Sequence, residues 1–600
     1  MKSIKITLII LLFGSLGYSQ TNVSGIITAN ALWAASGSPF NVIGDVGVPS
    51  VYTLTIEPGV TVNFTGDYQI LVKGNIVING SSSNHVVFNG STGSEIMIMF
   101  KSTDLSNSTI NYTDFTGPQY AIKLADESEH NQDQTKNSDT LKVEYSSFNN
   151  TGVFTDGYST TAGLIINNST FSSSIIKGYY PSTEPIILKS CTIDTSIIIS
   201  DSYNYGIKIY NSTVTRSMFS IGCCGANFII DKSNIYKSAF SDYNVNYYVE
   251  VNQSILVESQ IYLGGGLVYV TNSVIAFSAA DALGLVTRNV VISNSTIKGN
   301  GSGTGVVTAS NSSYTSSISN SLIIDNSVGI KVIENMGSYD FQNNNFIRNT
   351  TYALNNQSNR SITATNNYWG TTNSTEIENL IYHENDDLDL GPVTYNPYRS
   401  SYNTSAPISP PANVLKQTSG SDVVITWDAN PESDLAGYNV YWGSPTGYSF
   451  ANVVDVGNVT TYTLSGVSIT DTIAVTAYDM DIDGTDDQVE GNESWFAIEP
   501  TSLGTKDDDV LSPTAFTLKQ NYPNPFNPVT TISYQLPKTT FVNLSIYNVV
   551  GQLVETLVNE YDNAGFHTVE WNASRVGSGV YFYRIEAGEY TETKKCLILK

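Results

Sequence analysis

The chain has 600 residues, too many for one domain, and its 28 Lys and Arg against 54 Asp and Glu leave a net charge of −26. That balance opposes binding to nucleic acid or anionic lipid, whose phosphates need cations. An apolar content of 40% excludes a disordered chain, and the wealth of Asn, Ser, Thr, Gly and Tyr suits a β-protein with polar turns.

Residues 1–19 read as an export signal. Lys2 and Lys5 precede the apolar run Ile6 to Phe13, and Gly17 and Ser19 are the small residues a signal peptidase needs, which makes Gln20 the first mature residue. The run is too short for a stable span, and no later stretch is apolar enough to cross a membrane. No Cys follows the cleavage point, which argues against a lipid anchor.

From residue 21 the runs Thr53–Ile56, Val60–Phe64, Ile70–Val72, Asn75–Ile78 and His85–Phe88 alternate apolar and polar residues. Trp33, Pro39 and Phe40 are expected to cover an otherwise open end. Between Tyr112 and Trp369 a bulky residue returns after each short polar turn: Phe115, Phe148, Phe171, Ile193, Val214, Ile235, Ile255, Ile275, Ile297, Ile323, Phe346 and Trp369. Apart from one step of 33, the spacing stays between 20 and 26 residues, the mark of a stacked repeat. The polar stretch 125–140 accounts for the long step as a surface loop.

Two further positions keep this register. Three residues before the marker stands Asn168, Asn211, Asn252, Asn272, Asn294, Asn320, Asn343 or Asn366. Five before it stands an apolar residue such as Ile166, Leu188, Ile209, Ile230 or Val270, as a strand with one buried face requires. Asn tolerates the left-handed backbone of a sharp turn, so the column is expected to be a structural ladder. Glu250 breaks the apolar position, which predicts a local shift or bulge. Each unit is then one rung of a parallel β-helix, unable to bury its inner face alone.

The last rung carries Asn366-Asn367-Tyr368-Trp369-Gly370, followed by an acidic, aromatic segment around Tyr382 to Asp387 and by Pro397-Tyr398, expected to cap the rod. Across 20–400 these features resemble secreted right-handed parallel β-helix repeat proteins of bacteria, a superfamily that includes pectate lyases and many proteins of no known activity. Residues 401–410 have linker composition. From 411 to 500, about seven short strands suggest a sandwich, and Trp427, the run Asp434 to Trp442 and the run Thr472–Tyr478 resemble a fibronectin type III domain. Residues 501–510 are a second linker. The module 511–600 carries YPNPFNP at 522–528, IYNVVGQLV at 546–554, SGVYFYRI at 578–585 and KKCLILK at 594–600. It resembles the type A C-terminal sorting domain of the type IX secretion system. That implies carriage across the outer membrane by the type IX machinery, removal of the module and frequent attachment to surface lipopolysaccharide. The fold class expected is all-β: a right-handed parallel β-helix followed by two sandwich domains.

The sharpest chemical pattern is Asp479, Asp481, Asp483, Gly484, Thr485 and Glu490, which fits D-x-D-x-D-G-x5-E, a spacing that wraps oxygens around calcium. The loop follows a strand rather than a helix, so an acidic, solvated insertion is the plainer alternative. For catalysis the solenoid offers Asp194, Arg216, Glu258 and Asp325 on nearby faces but in different rungs. His85, His130, His383 and His567 are isolated, and no nucleophilic triad can be drawn. Trp369 is expected in the core or the cap. The tyrosines Tyr179, Tyr180, Tyr203, Tyr205, Tyr247 and Tyr248 suit either sugar stacking or an outer sheet. Of the four cysteines, Cys191, Cys223, Cys224 and Cys596, a bridge from Cys191 to one of the neighbouring pair is open, burial as small residues the simpler expectation. Two functions follow: a non-catalytic module for glycan or surface binding, or a polysaccharide lyase or glycoside hydrolase. A groove with two or more acids and an Arg would favour the enzyme; a flat Asn, Ser, Thr and Tyr face would favour binding.

Overall fold

The computed structural model describes residues 20–598 except 92–94, 102–103, 126–139, 157–162, 180–184, 202–205, 223–226, 243–247, 278–282, 302, 311–313, 335, 444–448, 499–515, 519–520, 522–525, 527, 537–539, 563–564 and 589. The export signal, the loop at 125–140, the linker at 501–510, Cys223, Cys224, Tyr180, Tyr203, Tyr205 and Tyr247 thus lie wholly or mainly outside the described residues. The chain forms two compact units, 1–500 and 501–600.

The first unit opens as a parallel β-solenoid of about 13 turns. A typical coil has three strands, such as Thr140–Glu144, Ser147–Asn149 and Val153–Asp156, each paired in parallel with its counterpart one coil on. The marker residues stack in register: Phe148 lies beside Phe171, then Ile193, Val214 and Ile235. All sit in one continuous buried core that runs from Trp33 to Val393. Phe115, Phe148 and Phe171 stack with ring centroids 5.2 and 4.5 Å apart, and Phe346 stacks on Trp369 at 4.7 Å. Trp33 and Phe40 stack at 5.0 Å near the first rung.

One marker is corrected. Ile235 pairs with Leu256, not Ile255, and Leu256 is the buried residue. Glu250 therefore needs no bulge. It faces outward beside Ile229 and Tyr269, while Val251 takes the inward place next to Ile230 and Val270. Gln253, not Asn252, then occupies the turn position.

The Asn column does supply left-handed corners: Asn168, Asn211, Asn272, Asn294, Asn320, Asn343 and Asn366 have φ between 45° and 61°. The hydrogen-bonded ladder, however, lies one residue later. Ser212 N–H donates to Ser233 Oγ, Ser233 N–H to Ser254 Oγ and Ser254 N–H to Ser273 Oγ, at 3.0–3.1 Å. Each hydroxyl also donates to a backbone carbonyl two residues back. A second left-handed corner, at Ser173, Thr195, Arg216, Lys237 and Glu258, ends each short strand, and a second Ser ladder follows it through Ser174, Ser196, Ser217, Ser238 and Ser259. The short strands Thr170–Ser172, Thr213–Thr215, Asn234–Tyr236 and Ile255–Val257 are thus pinned at both ends by buried hydroxyls that satisfy backbone donors no water reaches. A third inward column, Ile176, Ile198, Phe219, Phe240 and Ile261, completes the coil.

The solenoid ends on the short helix Ser374–Asn379, which buries Ile377, and on Tyr395, edge-on to Trp369. His383 is buried there. Its Nδ1 accepts the Val393 N–H, which leaves Nε2 to donate to Glu378.

A seven-stranded antiparallel sandwich follows. Its sheets hold Leu415–Ser419, Asp422–Thr426 and Thr461–Ser465 on one side, and Asn452–Gly457, Leu435–Trp442, Ile473–Asp479 and Ala497–Ile498 on the other. Its core closes around Trp427, Tyr438 and Ile425. This sandwich packs on the solenoid. Ala474, Trp495 and Phe496 share a buried cluster with Val257, Val274 and Ala276. The reason is written in the outward positions of the short strands: Thr-Ile-Asp at 192–194 and Thr-Val-Thr at 213–215 give way to Ile-Leu-Val at 255–257 and Val-Ile-Ala at 274–276, which need cover. Residues 401–410 lie along the same face. Asn403 exchanges hydrogen bonds with Asn345, Tyr402 packs on Tyr368, and the Arg348 guanidinium reaches the Pro410 carbonyl.

The second unit pairs a sheet of Thr517–Leu518, Val529–Leu536 and Gly565–Asn572 with one of Leu553–Asp562, Thr540–Asn548, Gly579–Ala587 and Tyr590–Ile598. The core holds Trp571, Tyr583, Ile585, Cys596 and Ile598. Asn521 N–H donates to the Tyr583 hydroxyl at 2.7 Å, and Phe526 packs on Trp571, so both ends of the proline-rich segment are anchored.

Candidate functional site

Where the sandwich leans against the solenoid it leaves a cleft of about 590 Å³. The solenoid wall comes from the left-handed corners and short strands of three successive coils: Asn211 and Thr213, then Lys232 and Asn234, then Gln253 and Ile255. The opposite wall comes from Tyr441, Phe450 and Phe496 and from the loop at Gly484 to Val489. The three rings form one cluster, with Phe496 edge-on to Tyr441 at 5.1 Å and 5.0 Å from Phe450. The volume is that of a small-molecule or sugar subsite, with convergent rings and amides.

The acids along the cleft are already engaged. Glu493 is buried and accepts from Tyr441 Oη at 2.7 Å, Asn439 Nδ2 at 3.0 Å and the Thr476 hydroxyl. Asp487 accepts from the backbone N–H of Asp483 and Gly484. Asp486 lies 3.9 Å from the Lys232 ammonium. Burial and the Glu493 charge push the Tyr441 hydroxyl far above its ordinary range, so it stays a donor.

The residues expected to hold calcium differ in exposure. Asp479 is buried and accepts from Asp481 N–H, while Asp481, Asp483, Thr485 and Glu490 are exposed. Asp483 turns back to Thr485 N–H at 2.8 Å. Among the described residues, no three His, Cys, Asp or Glu side chains are arranged to hold a metal ion. Burial, and then the charges of Asp434, Asp481 and Asp487, push the Asp479 carboxyl up to about 6.

The solenoid acids weighed for catalysis each meet a base. Arg216 clasps Asp194 with Nε at 2.9 Å and Nη2 at 2.5 Å. Lys237 lies 3.7 Å from Glu258. Asp325 takes Arg348 at 2.7 Å and Lys298 at 3.1 Å. These are ties between neighbouring coils, and no sequence signal marks them, because the partners sit about one coil apart. Tyr248 packs near Tyr269 at 5.3 Å and donates to Glu250 on the outer sheet. Cys191 is a buried free thiol in the Ser ladder, and Cys596 a buried free thiol in the second unit.

Residues 520–599 match the family described as the secretion system C-terminal sorting domain. The chain is an exported protein. It is secreted or held at the cell surface, and the tail addresses it to the type IX machinery. Among the described residues no helix is long and apolar enough to cross a membrane. No curated protein sequence matches the chain. Among solved structures it is similar to dimeric latent PorU from Porphyromonas gingivalis, with 13% identity, 35% of this chain and 22% of that one covered, and a TM-score of 0.13. The central fibronectin-III array of RIM-binding protein shows 18% identity over 32% of this chain and 62% of that one, at a TM-score of 0.12. The enzymatically active domain of tailspike protein 4 from bacteriophage CBA120 shows 11% identity over 92% and 62%, at a TM-score of 0.24. The chain thus spans less than two thirds of each, and scores this low say nothing about what it binds.

Proposed function

We infer that this exported protein is a non-catalytic glycan-binding or adhesion module, with the sandwich, read as a fibronectin type III domain, serving as one wall of the binding surface. The observation that carries this reading is the cleft, where the half-buried rings of Tyr441 and Phe450, backed by the buried Phe496, face the amides of Asn211, Asn234 and Gln253. Rings that stack on sugar faces beside amides that bond hydroxyls are the chemistry by which proteins hold glycans. A hydrolase or lyase needs carboxylates or a base free to exchange protons with substrate. Asp194, Glu258 and Asp325 are instead held in ion pairs between coils.

The test incubates the full chain with a panel of extracellular polysaccharides and follows both retention and new reducing or unsaturated ends. Retention without new ends is expected. Turnover of any glycan overturns the reading.

A further inference from the structure

The charge of the cleft selects among glycans, an inference that rests on the binding role just described. Among the described residues four charged ones line it: Lys232 against Asp486, Asp487 and Glu493. The Lys232 ammonium sits 3.9 Å from Asp486, both side chains about half exposed at 48% and 49%. The single cation of the lining is therefore offset by its nearest neighbour, and two carboxylates remain behind it. The same loop adds exposed Asp481, Asp483 and Glu490, so the potential at the mouth is negative. A ligand carboxylate or sulfate would meet that field with no second cation among the described lining residues. The remaining lining offers neutral donors, acceptors and rings.

We propose that the cleft takes a glycan whose sugars carry hydroxyl, amino or acetamido groups and no carboxylate or sulfate. Calorimetry on the full chain compares hexamers of β-1,4-linked glucose, of β-1,4-linked N-acetylglucosamine and of a uronic acid. A neutral hexamer is expected to bind at least tenfold more tightly than the uronate at low salt, with a narrower gap at high salt as the field is screened. Asp486→Asn, which suits the left-handed backbone there, is expected to narrow the gap at least threefold by freeing Lys232. Phe450→Ala and Asn234→Ala are expected to weaken the neutral hexamer tenfold or more. Equal or tighter binding of the uronate overturns the charge selection and leaves glycan binding standing. Neutral binding untouched by both cleft variants moves the site elsewhere and overturns this inference alone. No binding of any hexamer, together with no retention by the polysaccharide panel, overturns both.

Discussion

The backbone N–H of Ser212 meets the hydroxyl oxygen of Ser233, one coil on, at 3.1 Å, and Ser233 passes its own N–H to Ser254 at 3.0 Å. Ser233→Ala strands the Ser212 donor in a place water does not reach, at a cost of about 1–3 kcal/mol. Ser233→Asn is expected to cost less, because Asn344 and Asn367 fill the same rung position and accept the same bond. Thermal melts of the three proteins check the order.

The left-handed corners give a second test. Asn211 has φ 49°. Asn211→Ala is expected to destabilise by about 1–2 kcal/mol, because Ala keeps a Cβ in the left-handed region without the amide that eases it there, and Asn211→Gly by much less. Equal losses for both would show that the amide, not the backbone, matters there.

Docking of the sandwich rests on Trp495 against Val274 and Ala276. Trp495→Ala removes a large buried ring, at a cost of about 3–5 kcal/mol. Limited proteolysis is expected to cut the variant within 401–410 well before the parent, since the docked sandwich no longer covers that segment. Unchanged cleavage would mean that the Asn403 and Arg348 contacts suffice.

Two aspartates titrate with opposite consequences. Asp479 is raised from 3.8 to about 6, chiefly by burial. The folded state therefore keeps its proton longer, and stability falls as pH rises from about 4 to 6. Asp479→Asn is expected to raise the Tm at pH 7.5, with the gain fading towards pH 4. If the loop holds calcium, millimolar calcium raises the wild-type Tm at pH 7.5 and not that of Asp479→Asn; a wild-type Tm that does not move removes calcium from the loop. Asp325 behaves the other way. Burial raises its carboxyl, but Arg348 and Lys298 together pull it below the usual value. Its stabilisation is present above about pH 4 and is lost as pH falls through the lowered value. Asp325→Asn is expected to cost at most about 3 kcal/mol at pH 7 and progressively less in acid.

Much of this was legible in the residues. Phe148, Phe171, Ile193 and Val214 recur every 21 to 23 residues because each coil stacks on the last, so the spacing of the core is imposed locally and repeats along the chain. Ile255 and Leu256 show where that reading ends. Both are apolar and adjacent, and only the pairing of Ile235 with Leu256 tells which one faces inward. The Ser ladder is written in the sequence as recurring Asn-Ser at 168–169, 211–212, 272–273, 294–295 and 320–321, but composition does not tell that the Asn takes the corner and the Ser takes the bond. The third inward column hid behind turns of unequal length.

From its sequence alone this protein discloses a rod of stacked coils, a change of fold near residue 411 and a tail that addresses it for export, because each is encoded by neighbours within a few dozen residues. Tertiary structure alone decided that the sandwich lies on the rod, that Asp194 and Asp325 are tied to bases one coil on, and that rings and amides converge in a cleft. Those outcomes join surfaces up to some 280 residues apart, as Asn211 and Glu493 are, and side-chain packing rather than local pattern selects them.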